Sequence, residues 1–147
     1  MTSGVSEIII TKAEFADIGG IKQIADAHRN ELGFVRRPAL IEAIDRSEIL
    51  IAKQNGNIVG FVEYRHRRDE QTTLYNIAVM PENRHTGIGR KLFQALVKEA
   101  EKRDKSHILL KCPEELAANK FYRALGLHLT ELEPGKQRRL NIWQWEL

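Results

Sequence analysis

The spacing of apolar residues changes several times along the chain, and each change marks an element. Glu7 to Thr11 is a short β-branched run read as a strand. From about Asp17 to Leu32, the residues Ile18, Ile21, Ala25, His28 and Leu32 recur at helical spacing, and a shorter helix after Pro38 carries Leu40, Ile41 and Ile44. Glu48 to Lys53 and Ile58 to Arg67 read as strands. The Gln54-Asn55-Gly56-Asn57 segment between them holds an Asn-Gly pair, which predicts a tight hairpin. Thr72 to Met80 completes an antiparallel meander and is closed by Pro81. From Gly87 the period becomes helical again. Ile88, Leu92, Phe93, Leu96, Val97 and Ala100 form one stripe, with Lys91, Gln94, Lys98, Glu101 and Lys102 left to solvent.

Ser106 to Lys111 holds the continuous apolar run Ile108-Leu109-Leu110, the pattern of a strand covered on both faces. Pro113, followed by Glu114 and Glu115, predicts a helix opening that runs to about Leu125 and ends at Gly126. Leu127 to Leu132 and Arg138 to Leu147 are the last strands, reversed by Glu133-Pro134-Gly135-Lys136. The order is βααβββαβαββ, an α/β (α+β) arrangement of seven strands and four helices.

Composition narrows the class of protein. With 147 residues, 42% hydrophobic and 29% charged, the chain is expected to form one domain over residues 1–147. Cys112 is the single cysteine, which excludes an internal disulfide framework and a Cys-rich zinc site and fits a reducing compartment. No metal is expected. Residues 1–15 show no basic cluster ahead of a long apolar run, and no stretch approaches the roughly 18 apolar residues of a membrane span. A cytoplasmic protein without membrane contact is the expectation.

The net charge of +3 does not by itself select a partner. Basic residues fall in Arg36-Arg37, Arg65-His66-Arg67-Arg68, Arg84 to Lys91 and Arg138-Arg139, diluted by 20 acidic residues. The aromatic residues do not alternate with the arginines as stacking platforms for nucleic acid would, so no nucleic acid is expected. Only the cluster at Arg84 lies in a glycine-containing loop, and only that one has a specific anion-binding reading.

That loop, Arg84-His85-Thr86-Gly87-Ile88-Gly89, joins a strand to an amphipathic helix. A helix start offers backbone N–H groups without intrahelical acceptors and the positive end of the helix dipole, which suits phosphate oxygens. Glycine at 87 and 89 removes Cβ atoms from the approach, while Arg84, Arg90 and Lys91 add charge. The stretch lacks the third glycine of a dinucleotide fingerprint and the Gly-Lys-Ser/Thr of a P-loop.

Arg84-His85-Thr86-Gly87-Ile88-Gly89 resembles the Arg/Gln-x-x-Gly-x-Gly/Ala signature of the GNAT N-acetyltransferases, and Asn76-Ile77-Ala78-Val79-Met80-Pro81 is similar to that family's fourth strand. The resemblance covers nearly the whole chain, since the element order is also the family's. It implies a mixed, mostly antiparallel seven-stranded sheet flanked by four helices, with acetyl-CoA as co-substrate in a V-shaped opening between the fourth and fifth strands. Ile77, Ala78 and Val79 would line the pantetheine arm, with Ile77 and Val79 pairing through their backbone. Arg84, His85, Thr86, Gly87, Ile88, Gly89 and Arg90 would hold the pyrophosphate.

The segment from Glu115 through Tyr122 to Leu127 resembles the family's Ala-x-x-x-Tyr-x-x-x-Gly-Phe stretch, which implies that Tyr122 protonates the departing thiolate and also touches the cofactor. A phenol of pKa about 10 can protonate a thiolate whose thiol has a pKa of about 8.5 only when well positioned. Tyr122 packed beside Ala118 and Leu125 is the structural alternative. Two departures stand out: Glu115 occupies the position where many members have asparagine, and Leu127 replaces phenylalanine. Asn119 is expected to contact the cofactor from the helix face.

An amine acceptor must lose a proton before attack. Glu63 is the candidate base, with Tyr64, Tyr75, Asn76, Glu31 and His28 as other residues able to face the acceptor. A solvated strand position is the competing reading for Glu63. Direct attack in a ternary complex is expected, because Cys112 lacks an evident activating partner. A non-catalytic acyl-CoA-binding or sensor module with the same fold is the alternative function. Trp143 and Trp145, at period two on the last strand, fit either a homodimer contact or core packing.

Overall fold

A computed structural model of the chain describes residues 7–135 and 137–147. Seven strands join in one sheet of order β1-β2-β3-β4-β5-β7-β6. These are β1 (Ile9–Lys12), β2 (Ile49–Gln54), β3 (Asn57–His66), β4 (Gln71–Val79), β5 (His107–Pro113), β6 (His128–Pro134) and β7 (Arg139–Glu146). The helices are α1 (Ile18–Ala27), α2 (Arg29–Leu32), α3 (Arg37–Asp45), α4 (Ile88–Lys102) and α5 (Ala118–Leu125). The chain divides into two compact units, residues through Tyr64 with Asn76–Leu96, and Arg65–Tyr75 with Val97–Leu147.

In the first unit β2 runs antiparallel to both β1 and β3. The predicted hairpin turn is present, with positive φ at Asn55 (54°) and Gly56 (78°) and Gln54 paired to Asn57. Ile49, Ile51 and Phe61 pack on Ile21 and Ile24 of α1 and on Leu40 and Ala43 of α3. Successive residues of a strand face opposite ways, so Gly60 turns from that core toward Ile88 and Leu92 of α4. A Cβ there would lie 3.1 Å from both the Ala78 carbonyl oxygen and a Leu92 methyl. The absence of a side chain at Gly60 is what lets α4 and β4 come this close to β3.

The second unit is built on β7, which pairs antiparallel with β5 from His107↔Glu146 to Pro113↔Leu140 and with β6 on its other side. Trp143 is buried and Trp145 lies against Gly126. Core packing accounts for Trp143, while Trp145 is half-buried.

Three predicted boundaries move. The first helix is interrupted at His28, whose Nδ1 lies 2.9 Å from the Ile24 carbonyl oxygen and whose backbone leaves helical geometry (φ −113°, ψ 25°). The result is five α-helices among the described residues, where four were expected. Pro113 ends β5 instead of opening a helix, because Glu114 N–H bonds the Arg139 carbonyl and continues the pairing with β7. The pairing of β6 with β7 also extends further than expected, to Pro134↔Arg139; Lys136 of the expected reversal lies outside the described residues.

A branched side chain at position 60 has no space that backbone atoms can yield. Gly60→Val is expected to lower unfolding free energy by about 1–3 kcal/mol, measured by urea denaturation against the wild-type protein.

Candidate functional site

The loop before α4 starts with a short 3-10 turn over Pro81–Asn83. Met80 N–H bonds the Val59 carbonyl at 2.8 Å, and the Asn83 amide donates to Gln54 Oε1 at 3.2 Å, which ties the loop to the β2–β3 hairpin. The Thr86 hydroxyl donates to the Asn83 carbonyl. The backbone takes positive φ at His85 (63°) and Gly87 (84°) before turning into the helix. No atom lies within 4 Å of where a Gly87 Cβ would be, so its glycine answers to backbone conformation and to an outside approach, not to packing.

Ile88 is buried under the helix, while Arg84, His85, Thr86, Gly87 and Arg90 are exposed and Gly89 is half-buried. The first turn of α4 has no acidic residue to offset its positive end. Arg84 makes an exposed ion pair with Glu31 at 3.5 Å, an interaction weak enough to exchange for an anionic ligand. On β4, Ala78 is buried while Ile77 and Val79 are half-buried.

Glu63, on β3 in the same unit, is only 9% exposed rather than solvated. Its Oε1 accepts from Asn76 Nδ2 at 2.8 Å. Burial pushes the carboxyl above its ordinary 4.5, against the Asn76 hydrogen bond and the Arg46 charge, which both pull it down. The other base candidates have evident partners: His28 at the Ile24 carbonyl, Glu31 at Arg84, and buried Tyr64, whose hydroxyl accepts from Lys12 Nζ at 3.1 Å.

Asn119 and Tyr122 belong to the second unit. Asn119 was expected at the cofactor, but its side chain is committed within the protein. Nδ2 reaches the carbonyls of Pro113 (2.9 Å), Glu114 (3.2 Å) and Leu116 (2.8 Å), and Oδ1 accepts from Asn141 Nδ2 (3.0 Å) and Trp143 Nε1 (2.9 Å). Both ends of the amide are saturated, so Asn119 pins the start of α5 to β5 and β7. Tyr122, one turn of helix further on, is buried with its ring 6.5 Å from Trp143 and 5.6 Å from Phe121.

The strands beside Tyr122 part. β4 and β5 run parallel but pair only from Gln71↔His107 to Thr73↔Leu109, although Leu74, Tyr75, Leu110 and Lys111 all continue in strand conformation. Leu110 is the partner of Trp143 and shares its face. Tyr122 therefore stands where the pairing ends. On the opposite face, Arg67, Thr73, Tyr75, Leu109 and Lys111 help line a cavity of about 730 Å3. The sequence reading left Arg67 among dispersed surface charges; the period-two pair Thr73 and Tyr75 beside it was the available signal.

Comparison with known proteins decides the family. The profile of the acetyltransferase (GNAT) family matches residues 21–127. The chain belongs to the GNAT acetyltransferase family. A [ribosomal protein bS18]-alanine N-acetyltransferase of Escherichia coli (strain K12) is 37% identical over 76 residues, 51% of each protein. The chain thus matches about half the length of the curated relatives found. Among solved structures, Ard1 from Thermoplasma volcanium superposes with a TM-score of 0.85 at 16% identity, over 95% of this chain and 97% of that one. PaiA N-acetyltransferase from Thermoplasma acidophilum, in complex with coenzyme A, gives 0.82 at 18% identity, over 96% and 99%. At such identities these two share the GNAT fold. Among the described residues no group of three His, Cys, Asp or Glu is placed to hold a metal.

The raised carboxyl of Glu63 has a thermodynamic consequence. Between 4.5 and its higher folded value, the folded protein binds more protons than the unfolded chain, so stability falls as pH rises through that window. Glu63→Gln removes this slope; urea unfolding from pH 4 to pH 8 should show wild type losing ground to the variant as pH rises. Asn119→Ala leaves the Trp143 indole and several carbonyls without their partner. It should cost about 2 kcal/mol in the same assay, with acetyl-CoA affinity, measured calorimetrically, falling far less than a lost ligand contact requires.

Proposed function

We propose that the protein transfers the acetyl group of acetyl-CoA to an amine, by direct attack in a ternary complex. The observation that carries this reading is the parting of β4 from β5 beside Tyr122. Strand edges released from each other keep N–H and C=O groups that need partners, and the amide-bearing pantetheine arm supplies them. Ile77 and Val79 are the proposed partners on β4, with the buried Ala78 side chain fixing that strand. The loop from Arg84 to Arg90 is proposed to take the pyrophosphate, through the amides at the start of α4 and the charges of Arg84 and Arg90.

In the proposed reaction the neutral amine attacks the thioester carbonyl, the C–S bond breaks, and the thiolate takes a proton from the Tyr122 hydroxyl. The proton released by the amine goes to Glu63, whose burial raises the carboxyl's affinity for a proton. Cys112 is buried, with its thiol 3.5 Å from the Pro113 carbonyl, which favours direct attack over a route through an acylated cysteine. The similarity to an alanine N-acetyltransferase supports an α-amine as acceptor. A cytoplasmic location, consistent with the single thiol, belongs to the same proposal.

Thiol release from acetyl-CoA in the presence of an amine panel tests the activity. Tyr122→Phe is expected to lower kcat about 10- to 100-fold with little change in acetyl-CoA affinity. Unchanged turnover would remove Tyr122 from the chemistry, and binding of acetyl-CoA without acceptor-dependent thiol release would make the protein a sensor.

A further inference from the structure

The cavity on the face of β4 and β5 away from Tyr122 has a charge pattern that the acetyl-transfer reading does not use. Its volume of about 730 Å3 lies within the roughly 300–1,000 Å3 typical of small-molecule sites. Three cations, Arg67, Arg68 and Lys111, line it against one carboxylate, Asp69. Lys111 is already neutralised by Glu133 at 3.0 Å, and Asp69 accepts from the Gln71 backbone N–H. Among the described residues neither Arg67 nor Arg68 has a carboxylate within ion-pair distance.

Arg67 is nonetheless held in place. Its Nε donates to Thr73 Oγ1 at 3.1 Å, one terminal nitrogen donates to the Tyr75 hydroxyl, and the guanidinium sits 5.6 Å from the Tyr75 ring centre. Those two bonds use two of its five N–H donors and leave three. The backbone beneath is fixed as well, because Lys105 Nζ donates to the carbonyls of both Arg67 and Asp69. A guanidinium that is oriented by neutral groups and not paired with any carboxylate has kept its charge for something else. A planar fork of this kind matches the two oxygens of a carboxylate or phosphate.

We infer that this cavity binds the anionic group, carboxylate or phosphate, of a small acceptor whose amine is acetylated where β4 and β5 part. The inference rests on the acetyl-transfer reading for the word acceptor, but the anion site stands on its own geometry. By the same alternation that separates Leu109 from Leu110, the anion is held on one face of the sheet while Tyr122 meets the leaving thiolate from the other. The amine adds to the planar thioester carbonyl to give a tetrahedral intermediate, and the C–S bond breaks as that intermediate collapses, with the thiolate taking the Tyr122 proton.

The test uses two matched pairs of amines that differ in the anionic group: aspartate against asparagine amide, and O-phosphoethanolamine against ethanolamine. Each is titrated into the full chain by heteronuclear NMR, and acetyl-CoA-dependent thiol release is followed in parallel. The expected result is at least tenfold tighter binding of the anionic member of one pair, which also identifies the preferred group. Arg67→Gln should reduce that preference tenfold or more, Arg67→Lys should restore part of it, and the exposed Lys98→Gln should leave it unchanged. Arg68→Gln keeps the test valid should Arg67→Gln fail to fold. Equal binding within both pairs, or a preference that survives Arg67→Gln and Arg68→Gln alike, overturns the site. Thiol release without anion preference removes the site and leaves acetyl transfer standing. Anion preference without thiol release keeps the site and removes acetyl transfer.

Discussion

Strand edges in a sheet need partners for their backbone N–H and C=O groups, and among the described residues the interior of this sheet leaves that requirement open where β4 and β5 stop pairing. β5 is paired along its full length with β7, from His107 to Pro113, yet its contact with β4 ends at Thr73 and Leu109. β7 gives β5 a complete ladder on one side, so the strand stays ordered where its other edge is released. The N–H and C=O groups of the released edges need partners, and the proposed donor is a molecule with amides to fill them.

Asn119 serves this end in a way its position in the sequence did not announce. One amide gathers the carbonyls at the end of β5 and the start of α5 and, through its oxygen, the Asn141 and Trp143 side chains of β7. The helix that carries Tyr122 is thereby fixed to β5, one of the two strands that part, and to its partner β7. Within the first unit Gly60, by having no side chain, lets α4 approach β3 and sets where the positive end of that helix falls. One position acts through hydrogen bonds and the other through an absence of atoms. Both determine placement rather than chemistry.

Local signals in the sequence carried the elements whose geometry is decided locally. The Asn55-Gly56 turn and the apolar stripe of α4 from Ile88 to Ala100 need only a few neighbouring residues to be recognised, and both are present. The GNAT signature located the loop at Arg84 because there spacing and chemistry coincide. What escaped depends on distant partners. His28 ends a helix through a ring bond to the Ile24 carbonyl, Pro113 stays in a strand because β7 continues beside it, and Glu63 is buried because both faces of β3 are covered. The cluster at Arg67 read as dispersed charge, since its orientation comes from β4 side chains and its support from Lys105, nearly forty residues away.

That support does not involve the side chains it carries. Lys105 and Ser106 hold the segment between β3 and β4 by its main chain: Lys105 grips the carbonyls of Arg67 and Asp69, and the Ser106 N–H that of Glu70. None of these bonds depends on which side chain sits at 67 or 68. The frame is thus physically independent of its lining, so substitutions at 67 and 68 change what the cavity presents while the turn keeps its shape.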